Sequence, residues 1–199
     1  MIKSPFFVKQ DFISPLQCEL IINSLKSYQG SDSIFSVGEN IISDFVTDTI
    51  YPLHLDYLQD YYDVNIENFE TPLVFKYEGC GYDSGCDGYS YLHQKWVRTR
   101  PRDLTCMIFL NDTNLEPPFD NQFEIFGGKI EFPQHQFGFN HNRGTFICHP
   151  STPHFIHMMQ PVTIGAAHIL KWYVKTEEIY MHDPKLFEGD YTTWFKEIG

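Results

Sequence analysis

The chain has 199 residues, with 26 Asp and Glu against 14 Lys and Arg, and a formal net charge of −12. That length is enough for one substantial core in a single domain, and the acidity disfavours broad binding to nucleic-acid backbone, which depends on clustered cations. Five cysteines without a Cys-x-x-Cys pair argue against a disulfide framework or a structural zinc site, and no apolar run has the length of a signal peptide or a membrane span. The expectation is a reduced, cytoplasmic protein that engages neither membrane nor nucleic acid.

In chain order, Ser14-Pro15-Leu16-Gln17 has the marks of a helix start: a serine cap, proline at the first helical position and glutamine three residues after the cap. Cys18, Ile21, Ile22 and Leu25 follow at helical spacing, with Gly30 as the expected stop. A second helix is predicted from Pro52, with Tyr51, Leu55, Leu58 and Tyr62 sharing a face. After Thr71-Pro72 the period shortens, and 73–77, 104–110, 123–126, 129–132, 144–148, 155–159 and 168–175 read as short strands between Gly, Pro, Asn and Asp clusters. Strands at that spacing with no helices between them predict a sandwich or barrel. The tail from Pro184, with Leu186, Phe187, Trp194 and Phe195, reads as a closing helix. The resulting organisation is one domain over 1–199: helical support in 1–70, a β core in 71–178 and a C-terminal extension in 179–199. The 18 Phe and 12 Tyr suit packed sheet faces and equally an interface with another protein or a second copy.

Six histidines crowd residues 135–168: His135, His141, His149, His154, His157 and His168. Two neutral imidazoles and a carboxylate on one face of an ion make a non-haem iron(II) site with three positions left open. Taken singly, each histidine other than His157 reads most simply as a residue with an ordinary hydrogen-bond partner. The basic run Lys95 to Arg102, with Trp96, reads as a solvated loop ahead of a core strand. The glycines at 79, 81, 85 and 88 lack phosphate-loop spacing.

Four segments together carry a resemblance. Arg102-Asp103-Leu104-Thr105 runs into Leu110-Asn111; Gly127-Gly128 leads to Phe132-Pro133; Gly144-Thr145-Phe146-Ile147-Cys148 precedes His157; and Pro161-Val162 with Gly165 precedes Trp172-Tyr173. In this order they resemble the prolyl 4-hydroxylase type of 2-oxoglutarate/iron(II) dioxygenases, in particular the short copies carried by tailed bacteriophages. The resemblance implies a mainly β fold, a double-stranded β-helix (jelly-roll) core with N-terminal helices packed on it. It also implies iron(II) and 2-oxoglutarate as cofactors, with His157 as the distal iron ligand.

Two positions depart from the family. Aligning Tyr82 with its conserved aromatic sets Gly85-Cys86-Asp87 on the H-x-D motif, so that Asp87 supplies the carboxylate while Gly85 replaces the first histidine. His93 or His154 is then the candidate third ligand. The cation expected just after Pro-Val-x-x-Gly is replaced by Ala166 and Ala167. Lys171, on the same strand face as Ala167 and Ile169, and Tyr77 are the residues assigned to the co-substrate. Two readings follow: an oxygenase that hydroxylates a protein or a small molecule, or an oxygenase fold without catalysis or cofactors that serves as an interaction module, such as a virion component.

Overall fold

The structure, a computed structural model, describes residues 4–27, 34–114 and 123–179. The tail helix expected from Pro184 lies outside the described residues. From the N-terminus, β1 (Phe7–Lys9) leads to α1 (Pro15–Asn23), whose Ser14 and Gln17 form a reciprocal capping box. The helix ends at Asn23, short of the expected Leu25. After β2 (Lys26–Ser27) and β3 (Ile34–Ser36), a helical segment runs from 39 to 62. It starts thirteen residues earlier than proline spacing suggested and includes two π-helical turns, Val46–Ile50 and His54–Leu58, on either side of Pro52. The wider turns move the buried stripe to Phe45, Ile50, Leu53, His54, Leu58 and Tyr62, so Tyr51 and Leu55 are exposed instead of buried.

The rest is β-structure: β4 (Ile66–Phe69), β5 (Leu73–Glu78), β6 (Tyr82–Gly85), β7 (Tyr89–Leu92), β8 (Lys95–Arg98), β9 (Leu104–Phe109), β10 (Asp112–Asn114), β11 (Glu124–Gly127), β12 (Ile130–Phe132), β13 (Phe137–Phe139), β14 (Phe146–Pro150), β15 (His157–Met159), β16 (Val162–Ile164) and β17 (Ala166–Thr176). The major sheet has the order β1-β14-β9-β17-β5-β3-β2, with β4 also pairing with β17. Smaller sheets, β13-β12-β15-β6 and β10-β11-β16, lie across it. Strands β1 to β4 thus bring residues of the N-terminal third into the major sheet, where sequence patterning showed only helices.

Alternation along the major strands makes two cores. Leu104, Cys106, Ile108, Leu170, Trp172 and Val174 face α1 and the helical segment. Met107, Phe109, Ile147, Ala167 and Ile169 face inward against Ile125, Ile130, Phe132, Met159 and Val162 of the smaller sheets. That second core is the inside of a jelly-roll. The glycine pair is a requirement of the crossing: Gly127 has φ +88°, and a Cβ there would lie 2.2 Å from the Pro161 carbonyl oxygen. Among the described residues no helix is long and apolar enough to cross a membrane.

Candidate metal centre

The polar end of the inner core is built by register. On the major sheet His149 of β14 lies opposite Thr105 of β9, and Thr105 lies opposite Tyr173 of β17. One row across three strands therefore carries an imidazole, a hydroxyl and a phenol. Lys171 is the next inward position of β17, on the face of Ala167 and Ile169 as alternation predicted. From the smaller sheet His157, at the start of β15, pairs with Gly85 at the end of β6. Asp87 follows two residues on and points into the same space.

Asp87 collects donors from the sheet. Lys171 Nζ donates to Oδ1 at 2.9 Å, Tyr173 Oη donates to the same oxygen at 3.2 Å, and Thr105 Oγ1 donates to Oδ2 at 3.0 Å. Since the Thr105 proton is committed to the carboxylate, the Ser151 hydroxyl donates to Thr105, at 2.7 Å. Burial opposes the ionised form of Asp87, but the Lys171 ammonium outweighs it and holds the carboxyl well below the usual carboxylate range. Burial likewise opposes the charge on Lys171, and Asp87 more than restores it, so the ammonium stays protonated above the usual lysine range. Lys171 is 11% exposed and is no solvent-facing strand lysine.

The two histidines are fixed in their tautomers. A carbonyl oxygen can only accept, so His157 Nδ1 donates to Phe155 O (3.1 Å) and His149 Nδ1 donates to Pro150 O (2.9 Å). Burial lowers the pKa of His157 to about 4, against the pull of Asp87, and pushes that of His149 well below the ordinary value. Both rings are neutral near pH 7, and each Nε2 is a bare lone pair. His157 Nε2 lies 3.6 Å from Asp87 Oδ2; His149 Nε2 is buried with no hydrogen-bond partner among the described residues. The ligand atoms of Asp87, His149 and His157 all lie within 4.8 Å of one another, the one such group of three among the described residues. Phe132 packs against both rings, with centroids 4.9 Å from His149 and 5.4 Å from His157.

Lone pairs facing a carboxylate with no proton between them repel, and a cation placed among them removes the repulsion. Two neutral imidazoles and a carboxylate are also the donor set that suits a divalent iron ion with open positions. The residues fit such an ion.

The structure brings Asp87, His157, Lys171 and Tyr77 together. Tyr77 lines, with Phe75, Tyr82, Gly85, His157 and Lys171, a cavity of ≈ 230 Å³ beside Asp87, and burial pushes its phenol up to about 12. The Tyr82 hydroxyl, also in this lining, is buried without a partner among the described residues. The two histidines expected as the third ligand are elsewhere. His93 and Gln94, at φ 50° and 62°, form the two-residue turn between β7 and β8, which puts His93 at an exposed hairpin tip. His154 lies in the short 3₁₀ turn Pro153–Phe155, buried but outside the ligand group. The run read as a loop from Lys95 begins as strand β8, and two of its four cations are engaged: Arg98 with Asp103 at 2.9 Å, and Arg102, beyond the strand, with Glu70 and over the Tyr173 ring at 3.5 Å. The residue that sequence reasoning passed over is His149. Its signal was parity, two places after the inward Ile147 on one strand.

A viral collagen prolyl hydroxylase from Paramecium bursaria Chlorella virus-1, solved as a 2OG complex, superposes with a TM-score of 0.65 over 88% of this chain and 97% of its own, at 17% identity. The fold is that of the prolyl hydroxylases. A prolyl-4-hydroxylase from Pseudomonas putida matches at TM-score 0.61 and 13% identity, covering 87% of this chain and 94% of that one. A prolyl hydroxylase from Trichoplax adhaerens, in complex with a hypoxia inducible factor peptide fragment, matches at 0.59 and 12% identity over 87% and 84%. At the level of sequence neither a family model nor a curated protein matches. The architecture is thus the jelly-roll of the prolyl hydroxylases, and identities this low speak for the fold alone.

Proposed function

We propose that this protein is an iron(II)- and 2-oxoglutarate-dependent oxygenase with an altered metal site, in which Asp87 and His157 hold the ion. The observation that carries the reading is the bare Nε2 of His157 facing Asp87 Oδ2 at 3.6 Å, its tautomer fixed from behind by Phe155 O. Iron(II) held there would supply the redox chemistry that dioxygen requires. The chain's own part is charge and position. Asp87 and Lys171 sum to zero, a divalent ion leaves the centre at two positive charges, and a dianionic oxo-acid restores neutrality in a buried site. Lys171 and Tyr77 offer that acid an ammonium and a protonated phenol on the wall of the ≈ 230 Å³ cavity. A second groove of ≈ 470 Å³, sharing Asp87, Lys171 and Tyr173 with the first and lined by Ser90, Thr99 and Arg100, is the place for the substrate. One fold neighbour acts on collagen and another is solved with a peptide fragment, which supports a protein-borne substrate.

One observation favours the alternative of an interaction module. Lys171, Tyr173 and Thr105 already satisfy both Asp87 oxygens without a metal. Anaerobic titration with iron(II) and 2-oxoglutarate separates the two. The oxygenase gives a metal-to-ligand charge-transfer band that saturates with 2-oxoglutarate; a protein that takes up no iron and shows no band is the module.

A further inference from the structure

Gly85 stands where the prolyl-hydroxylase pattern has its first histidine, which leaves Asp87 and His157 one ligand short. We infer that His149, from the opposite sheet, is the third metal ligand, so that the missing imidazole has been replaced from across the jelly-roll. The inference rests on the oxygenase reading above and concerns the same site.

Four observations converge on His149. Its ring is fully buried, yet among the described residues Nε2 has no partner, and an unpaired buried acceptor is retained at a cost in stability unless something fills it. Its Nδ1 is anchored on Pro150 O at 2.9 Å, the same backbone anchoring that His157 has through Phe155 O. Metal-bound imidazoles are commonly held in this way, because the anchored proton aims the other nitrogen at the ion. The two rings meet edge to face with centroids 4.9 Å apart, and Phe132 packs on both. Finally, His149 stands beside Thr105 in the row that donates to Asp87, so the strand holding the carboxylate also sets the distance to the imidazole.

The Gly85 side shows the complement. Gly85 does not have a left-handed backbone, and a Cβ built on it meets nothing nearer than the Asp83 carbonyl oxygen at 4.0 Å. Glycine is not needed there for conformation. Its consequence is room: with the ligand supplied by His149, the Gly85 side of the ion opens onto the ≈ 230 Å³ cavity.

Cobalt(II) serves as the probe, read by its d–d absorption and by calorimetric titration of the full chain. The wild type binds it. His149→Gln weakens binding by about tenfold or more, the lower bound for losing a ligand when an outer-shell partner alone is worth about 10–100-fold, whereas His154→Gln and His93→Gln leave it unchanged. Gly85→His added to His149→Gln restores binding, because it returns an imidazole to the strand that pairs with His157. Should His149→Gln fail to fold, imidazole ¹⁵N shifts of the zinc-loaded wild type decide: two coordinated Nε2 resonances support the inference and one overturns it. Cobalt binding by His149→Gln equal to wild type refutes the His149 assignment and leaves the oxygenase reading standing. A wild type that binds no cobalt refutes both.

Discussion

Replacing Lys171 by Met removes the cation paired with Asp87 and retains most of the side-chain volume. The two partners are 11% and 14% exposed and 2.9 Å apart. Breaking a buried pair of this kind leaves a charge uncompensated and costs about 3–5 kcal/mol. Tyr173 and Thr105 continue to donate to the carboxylate, which places the loss at the lower end, about 3 kcal/mol, or a Tm lower by roughly 6–12 °C for a chain of this length. The double variant Asp87→Asn/Lys171→Met removes both charges and returns to within about 1 kcal/mol of the wild type. Urea unfolding in EDTA measures all three, with an unchanged slope showing that the midpoint reports stability. Cobalt(II) should shrink the Lys171→Met deficit, because a dication then does for Asp87 what the ammonium did. A metal-free Lys171→Met protein within about 1 kcal/mol of wild type would refute the reasoning, since Asp87 would then not depend on Lys171 for its charge.

Three further outcomes are expected. Gly144→Ala puts a Cβ 2.2 Å from the Ile13 carbonyl oxygen at φ +81°, and thermal melting should show a loss of more than about 2 kcal/mol. Asp103→Ala strips Arg98 of its carboxylate partner and leaves the Thr176 N–H without its acceptor; the loss by urea unfolding is about 3 kcal/mol. His54, which accepts from Trp172 Nε1 at 3.1 Å and whose pKa burial lowers from 6.5 to about 4, makes stability fall with acidification. The unfolded chain binds the proton first, so the contribution is complete above pH 6.5 and up to about 3 kcal/mol is lost as the pH drops to 4. The pKa values of His141, His149, His157 and His168 are lowered in the same direction, so His54→Gln, which keeps an acceptor for Trp172, should reduce the slope in that window by His54's share, and an unaltered slope would exclude a contribution from His54.

What sequence made legible was local. The capping box at Ser14 and Gln17, the glycine pair before β12, and the alternation that sets Lys171 beside Ala167 and Ile169 each depend on a few neighbouring residues. The helical segment departs from its sequence pattern because π turns on both sides of Pro52 break the 3.6-residue period on which the stripe of Tyr51, Leu55 and Leu58 relied. The β7–β8 hairpin escapes notice in the sequence because its turn residues, His93 and Gln94, are not the Asn-Gly or Asp-Gly that announces two positive φ angles. His93 and His154 drew notice by closeness in sequence to Gly85 and His157, and closeness in sequence is a poor guide to a site assembled from both walls of a sandwich.

A coordination position is a point in space, and several strands have side chains that can reach it. In this fold β6 and β15 approach it from one wall, β9, β14 and β17 from the other, and every second residue on each points inward. A ligand lost from the wall that carries Gly85 can therefore be replaced from the wall that carries His149 without moving a backbone. A linear motif records only one of these solutions. Whether the substitution preserves chemistry depends on the opened side at Gly85: an ion held from both sheets faces the cavity through a gap that a histidine would have filled. Gly85→His on the wild-type background tests this directly. The backbone and the free space both admit the ring, so the protein should fold, and calorimetry should show cobalt affinity changed by less than about tenfold, roughly 1.4 kcal/mol, because three ligands are already present. A gain well beyond tenfold would mean that the wild-type ion lacks a third protein ligand, and would remove His149 from its coordination sphere.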